Sequence, residues 1–417
     1  CALPILNWGS KGRIYIAIQH KKFACRAILI VTNYARVKTN MTGNASIMIP
    51  IKNPNKGDTM QLNQIIRADI LAMTAYKVTE VPADCIKLDA MESPYEYSDE
   101  LKAELAKELA HAPLRLYPTP YARGLPDAIR ALHKIDAGAD ILLGTGSDEL
   151  IRLLTMLTGQ AGSTMLALEP SFVMYRVNAE FFGMKYVGVP LNEDFTMNVE
   201  AVLAAIAEHQ PQLIFIAYPN NPTGVPFSVE DVNRIITAAP GLVVIDEAYG
   251  AFSSHTFLSQ AGTMENVVVL RTLSKIGFAG IRVGYAVGHP SVMHELRKIT
   301  PPYNMNQLSL TAAKFALQYH QFIDEHINKQ KSERERMRTM LKAWTQIQVF
   351  PSEGNFITMR VPDAQALYQA LLDHNILIKN LHGVHPLLNQ CARITVGKPE
   401  QNQQVLGVMQ KLYGTQA

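Results

Sequence analysis

Cysteine is scarce in this chain: four in 417 residues. At positions 1, 25, 85 and 391 they are too scattered for a disulfide framework or a zinc spacing, which points to a reducing cytoplasm. No apolar run reaches the roughly 18 residues of a membrane helix. Neither Gly-x-Gly-x-x-Gly nor Gly-Lys-Ser/Thr occurs, so the dinucleotide fingerprint and the P-loop are both excluded. No internal repeat is evident, and no cluster of cysteines and carboxylates accompanies His382 and His385 to suggest a metal. Acid is nearly absent from residues 1–59, where nine Lys/Arg face the single Asp58. What remains, 48% apolar and 18% charged, suits a soluble globular enzyme with one larger and one smaller domain.

Among the residues present, four strand-like runs end in chemistry. Ile141-Leu142-Leu143 leads into Gly144-Thr145-Gly146-Ser147-Asp148 and then a helical pattern; a glycine turn opening a helix is an anion cradle. Leu213–Tyr218 ends in Pro219-Asn220-Asn221-Pro222-Thr223-Gly224, a rigid loop that presents Asn221. Leu242–Ile245, aliphatic without alternation, reads as a strand buried on both faces and delivers Asp246. Arg271-Thr272-Leu273-Ser274-Lys275 then offers a lysine in a stretch poor in charge, either a solvated cation or an amine able to form a Schiff base. Amine, acid, amide and anion cradle together are what pyridoxal 5′-phosphate (PLP) requires.

These segments resemble the class I/II aminotransferases of fold-type I PLP enzymes, and within them the histidinol-phosphate branch. The resemblance rests on Gly146–Glu149, Asn221–Gly224, Asp246–Tyr249, Ser274-Lys275, Arg282–Tyr285 and Arg393–Gly397, in the family's order. It implies an α/β fold: a large domain with a mostly parallel sheet flanked by helices, plus a smaller α+β domain. Lys275, by the resemblance, binds the cofactor aldehyde and moves the substrate proton. Asp246 pairs with the ring nitrogen, Asn221 and Tyr249 with the ring oxygen, and Phe172 stacks on the ring unless it is plain core. Gly146, Ser147, Asp148, Thr272, Ser274 and Arg282 surround the phosphate. Lys275 and Arg282 stand seven apart where many relatives have eight, so the connecting turn must tighten. Tyr117, if not an ordinary loop residue, reaches the cofactor phosphate of a neighbouring subunit and implies a homodimer.

Arg393 is expected to grip the substrate's anionic group, with Asn355, Lys379, Glu92 and Tyr95 as further substrate residues; a solvated role is the alternative for Lys379. The implied reaction is L-histidinol phosphate plus 2-oxoglutarate. Alternatives are an aromatic or broad-range aminotransferase, a phosphothreonine-type decarboxylase, and a PLP-binding transcription regulator. The last lacks the helices of a winged-helix module in residues 1–59. No nucleic-acid or membrane partner is expected.

Residues 60–115 should form an N-terminal arm and part of the small domain, 116–345 the large PLP domain and 346–417 the rest of the small one. Asp324–Leu341 reads as a long connecting helix. Residues 1–59 are expected to lack a stable fold, as an upstream stretch included by a misplaced start; a transit segment or a functional extension are the other readings.

Overall fold

The computed structural model describes residues 62–74, 79–122 and 124–414, and the backbone of five short strands nearer the N-terminus. Two compact units result, Cys1–Tyr76 and Lys77–Ala417. In the first, Ile5–Gly9 pairs antiparallel with Arg13–Ala17, and Ile30–Val31, Tyr34–Lys38 and Ser46–Pro50 form a second antiparallel sheet. The expectation of no stable fold for residues 1–59 otherwise lies outside the described residues.

The second unit is built on a seven-stranded sheet: β1 (Asp140–Gly144), β2 (Thr164–Glu169), β3 (Lys185–Pro190), β4 (Leu213–Ala217), β5 (Leu242–Asp246), β6 (Val267–Thr272) and β7 (Gly284–Gly288). Their order is β1-β7-β6-β5-β4-β2-β3, and only β7 runs antiparallel to its neighbours. Aliphatic runs without polar alternation form these strands because both faces are covered. Ile214, Ile216 and Ile245 enter one core, while Leu213, Phe215 and Val244, pointing the other way, enter a second. Each such fully buried side chain contributes about 1.5–3 kcal/mol, so the sheet is a rigid platform. Helices α1 (Ser147–Thr158) and α2 (Met174–Phe181) follow β1 and β2 as crossovers. This is the expected α/β architecture.

A smaller sheet holds β8 (Gln348–Val349), β9 (Phe356–Arg360), β10 (Lys379–Asn380) and β11 (Cys391–Thr395), ordered β8-β9-β11-β10 and antiparallel throughout. The long helix α3 (His320–Lys342) extends a few residues beyond the expected 324–341. Its C-terminal turns place Met337 and Leu341 in the small sheet's core, beside Leu88 and Ile394. Thr358 Oγ1, on β9, donates to the carbonyl of Pro222, and the Glu353 amide donates to the carbonyl of Gly224 at 2.9 Å. The small sheet is therefore fastened to the loop at the mouth of β4.

Candidate active site

The C-terminal ends of β1, β4, β5 and β6 converge, as ligand sites do in open parallel sheets. After β1 the chain turns through Gly146, whose φ of 80° and ψ of 169° are essentially reserved to glycine. The Thr145 amide and hydroxyl both donate to Glu149 Oε2, at 2.5 and 2.7 Å, closing the turn. No side chain caps α1, so its first amides remain available to an anion. A Cβ on Gly146 would lie 2.7 Å from Arg282 Nη2, so the guanidinium sits directly against this turn.

Beyond β6, Thr272 Oγ1 donates to Ser274 Oγ at 2.9 Å, and Arg282 Nη1 donates to the same oxygen at 3.4 Å. Arg282 Nη2 meets Asp148 Oδ2 at 3.2 Å. The seven-residue spacing is accommodated by two 3₁₀ turns, Ser274–Ile276 and Ala279–Ile281, joined through Gly277 at φ 110°. Arg282 itself takes φ 53°, which turns its side chain back to the β1 end.

Asp246, 4% exposed, ends β5. Tyr175 on α2 donates its hydroxyl to Asp246 Oδ2 at 2.8 Å, and the Ala248 amide donates to Oδ1 at 3.1 Å. No cation lies within ion-pair distance of this carboxylate among the described residues, and burial pushes it up to about 6. Lys275 Nζ donates to the Ala90 carbonyl at 3.3 Å and lies 5.7 Å from the Tyr249 ring centre. Burial first, then the neighbouring Arg393 cation, lowers this amine to about 8. Tyr249 is buried and its phenol is pushed far up by desolvation.

Arg393 on β11 donates from Nη1 to Asn221 Oδ1 at 2.5 Å and from Nη2 to the Asp89 carbonyl at 2.8 Å. Lys379 stands directly opposite Arg393 across β10 and β11 and so shares its face of the sheet. Asn355 Nδ2 donates to the Met91 carbonyl at 3.0 Å, and its buried Oδ1 has no hydrogen-bond partner among the described residues.

Of the residues singled out in the sequence, Ser147, Asp148, Phe172, Asn221, Asp246, Tyr249, Thr272, Ser274, Lys275 and Arg282 line one cavity. Gly146, Tyr117, Arg393, Asn355, Lys379, Glu92 and Tyr95 are not in that lining. The Glu92 carboxylate is held by Lys87 at 2.6 Å, and Tyr95 stacks on His326 of α3 at 4.7 Å. Tyr117 is 81% exposed and stacks on Tyr303 at 4.9 Å. Sequence reasoning missed Tyr175, the Ala90 and Asp89 carbonyls, and Asn220, whose amide ties the β4 loop to the Pro170 carbonyl at 3.0 Å. Tyr175, three residues after Phe172, carries no motif of its own.

The donor set fits PLP: among the described residues, an amine with no carboxylate at ion-pair distance, an acid with no cation at ion-pair distance, and an uncapped helix N-terminus flanked by hydroxyls and an arginine. A buried acid at about 6 is what a cationic ring nitrogen would stabilise as the anion.

The chain belongs to the aminotransferase class I and II family, whose sequence profile matches residues 83–409. It is accordingly a PLP-dependent enzyme of fold type I. Histidinol-phosphate aminotransferase of Neisseria gonorrhoeae (strain NCCP11945) is 55% identical over 355 residues, covering 84% of this chain and 99% of that protein. The protein of the same name from Chromobacterium violaceum is 49% identical over 354 residues, covering 85% and 99%. Among solved structures, histidinol-phosphate aminotransferase from Sinorhizobium meliloti in complex with pyridoxal-5′-phosphate aligns with a TM-score of 0.73, at 24% identity, over 84% of this chain and 98% of that one. At that identity the likeness speaks to the fold.

Proposed function

We propose that the chain moves the amino group of L-histidinol phosphate to 2-oxoglutarate, giving imidazole acetol phosphate and L-glutamate, a step of histidine biosynthesis. The carrying observation is that the buried Lys275 amine and the buried Asp246 carboxylate line one cavity with the N-terminal residues of α1. The choice of amine is supported by the 55% and 49% identities to histidinol-phosphate aminotransferases over nearly their full lengths.

When bound, PLP supplies an aldehyde for the amine nitrogen and a ring that spreads the electron pair left on the substrate carbon. The amides of Ser147 and Asp148, the hydroxyls of Thr272 and Ser274, and Arg282 would hold its phosphate, with Gly146 leaving room for the backbone to approach. Asp246 would face the ring nitrogen, Asn221 and Tyr249 the ring oxygen, and Phe172 the ring face. Lys275 at about 8 is roughly one-tenth neutral at pH 7, so Nζ is suited to take up and return the substrate proton. Burial keeps water from this amine, which would otherwise restore its ordinary basicity.

Arg393, its fork fixed by Asn221 and the Asp89 carbonyl, presents a planar guanidinium to the substrate's anionic end, and Lys379 adds a second cation on the same face. Two such cations serve a phosphate in one half-reaction and a carboxylate in the other. Asn355 brings an acceptor oxygen left unsatisfied among the described residues. Glu92 and Tyr95 would join the substrate only on release from Lys87 and His326. The exposed Tyr117 supports a homodimer in which it completes a neighbouring site, and the free thiols Cys85 and Cys391 suit a cytoplasmic enzyme.

The test is glutamate formation by the purified protein from L-histidinol phosphate and 2-oxoglutarate, with phenylalanine and phosphothreonine as competing substrates. A higher kcat/KM for phenylalanine would reassign it as an aromatic aminotransferase. Carbon dioxide released from phosphothreonine would make it a decarboxylase.

A further inference from the structure

Among the described residues, Tyr175 is the one buried hydroxyl bonded to the site's acid, and the roles above leave it unused. Its side chain is fully buried on α2, with the ring stacked flat on Phe215 at 4.5 Å and 8° and Phe172 edge-on at 5.7 Å. With the ring held by these contacts, the hydroxyl donates to Asp246 Oδ2 at 2.8 Å. The other carboxylate oxygen takes the Ala248 amide at 3.1 Å. Each Asp246 oxygen thus has one neutral donor fixed in place.

We propose that Tyr175 is a positioning residue: its hydroxyl locks the orientation of the Asp246 carboxylate and holds it ionised, so that the acid stands ready as an anion for the cofactor's ring nitrogen. A donor to a carboxylate favours the charged form, against the burial that disfavours it. The other groups acting on Asp246 are the Asp148 carboxylate, which opposes ionisation, and the Lys275 amine, which favours it; Tyr249, whose phenol Asp246 pushes up, completes the set. None of these touches the carboxylate, so Tyr175 and the Ala248 amide are its direct supports among the described residues. The cost is carried by the tyrosine, whose own ionisation is driven far up by burial and by the adjacent carboxylate.

The proposal rests on Asp246 being the ring-nitrogen acid, and its test is made first without cofactor. In apoprotein labelled with ¹³C at aspartate carboxyls, the Asp246 resonance is assigned by its absence in Asp246→Asn and titrated from pH 4 to 9. Tyr175→Phe keeps the ring stack and should raise the carboxyl's midpoint by about one pH unit or more. Site-specific 3-fluorotyrosine at position 175, a more acidic donor, should move it down, by about half a unit. PLP affinity should fall about tenfold in Tyr175→Phe and not in the fluorinated protein. A merely structural tyrosine would leave both midpoints in place or move them the same way, and either result overturns the proposal. Should Tyr175→Phe not fold, the fluorinated protein decides alone, an unmoved or raised midpoint refuting the role. Asp246→Asn separates the two claims: if it leaves PLP affinity and bound-cofactor absorbance unchanged while the tyrosine variants shift the midpoint in opposite directions, the reading of Asp246 fails and the Tyr175–Asp246 coupling stands.

Discussion

Replacing Gly146 by alanine should cripple cofactor retention more than it harms the fold. Two costs arise. The backbone at φ 80°, ψ 169° lies where L-residues pay about 1–3 kcal/mol. The new Cβ would also lie 2.7 Å from Arg282 Nη2 and 3.1 Å from its Cζ. That neighbour is the end of a long side chain about half exposed, so it swings aside and the backbone stays. Arg282 is then lost from the anion cup, and a hydrogen bond between charged groups is worth about 1.5–3 kcal/mol. PLP should therefore bind about ten- to a hundredfold more weakly. Equilibrium dialysis of PLP against apoprotein reads the affinity, and apoprotein thermal unfolding reads the backbone cost. Gly280→Ala is the control, since a Cβ there meets nothing within 4 Å. Wild-type affinity in Gly146→Ala, or equal losses in both variants, would refute the placement of Arg282 in the cup.

Lys275→Ala should remove the absorption of lysine-bound cofactor and slow turnover roughly 10²–10⁴-fold or more; persistence of both would unseat the site. Asp246→Asn should stabilise the apoprotein in a pH-dependent way. The folded carboxyl lies near 6, above its ordinary 3.8, so the folded state holds more protons between those values and loses stability as pH rises through them. Asparagine escapes that loss, worth on the order of 3 kcal/mol above pH 6 and nothing near pH 4, as urea unfolding across that range would read. An apoprotein equally stabilised at every pH would contradict the buried charge. Glu353 accepts from Ser253 Oγ at 2.6 Å and from the Ser254 hydroxyl and amide at 2.7 and 3.0 Å, fastening the segment before β9 to the loop beyond β5. Glu353→Ala should cost about 2 kcal/mol by thermal unfolding, with KM raised more than kcat lowered, because Arg393 loses its footing; an unchanged KM would argue against that coupling.

The sheet strands were legible because burial on both faces needs uninterrupted aliphatic runs, and their ends because glycine, proline and charge interrupt those runs. Asp246, Asn221 and Lys275 could be named for the same reason: each is a polar group placed where an apolar strand stops. Tyr175 could not, because nothing in Met174–Phe181 says which wall of the sheet the helix covers. The partner of Tyr95 was equally hidden, since His326 arrives from α3, more than two hundred residues away.

Local chemistry, then, was settled by the order of residues: which strands form, where they end, and which reactive group each end carries. Folding decided the rest. An amine becomes weakly basic, and a carboxylate reluctant to ionise, only when other parts of the chain remove water from around them, and no run of neighbouring residues can do that. The same holds for Arg393, whose fork is aimed by Asn221, 172 residues earlier in the chain.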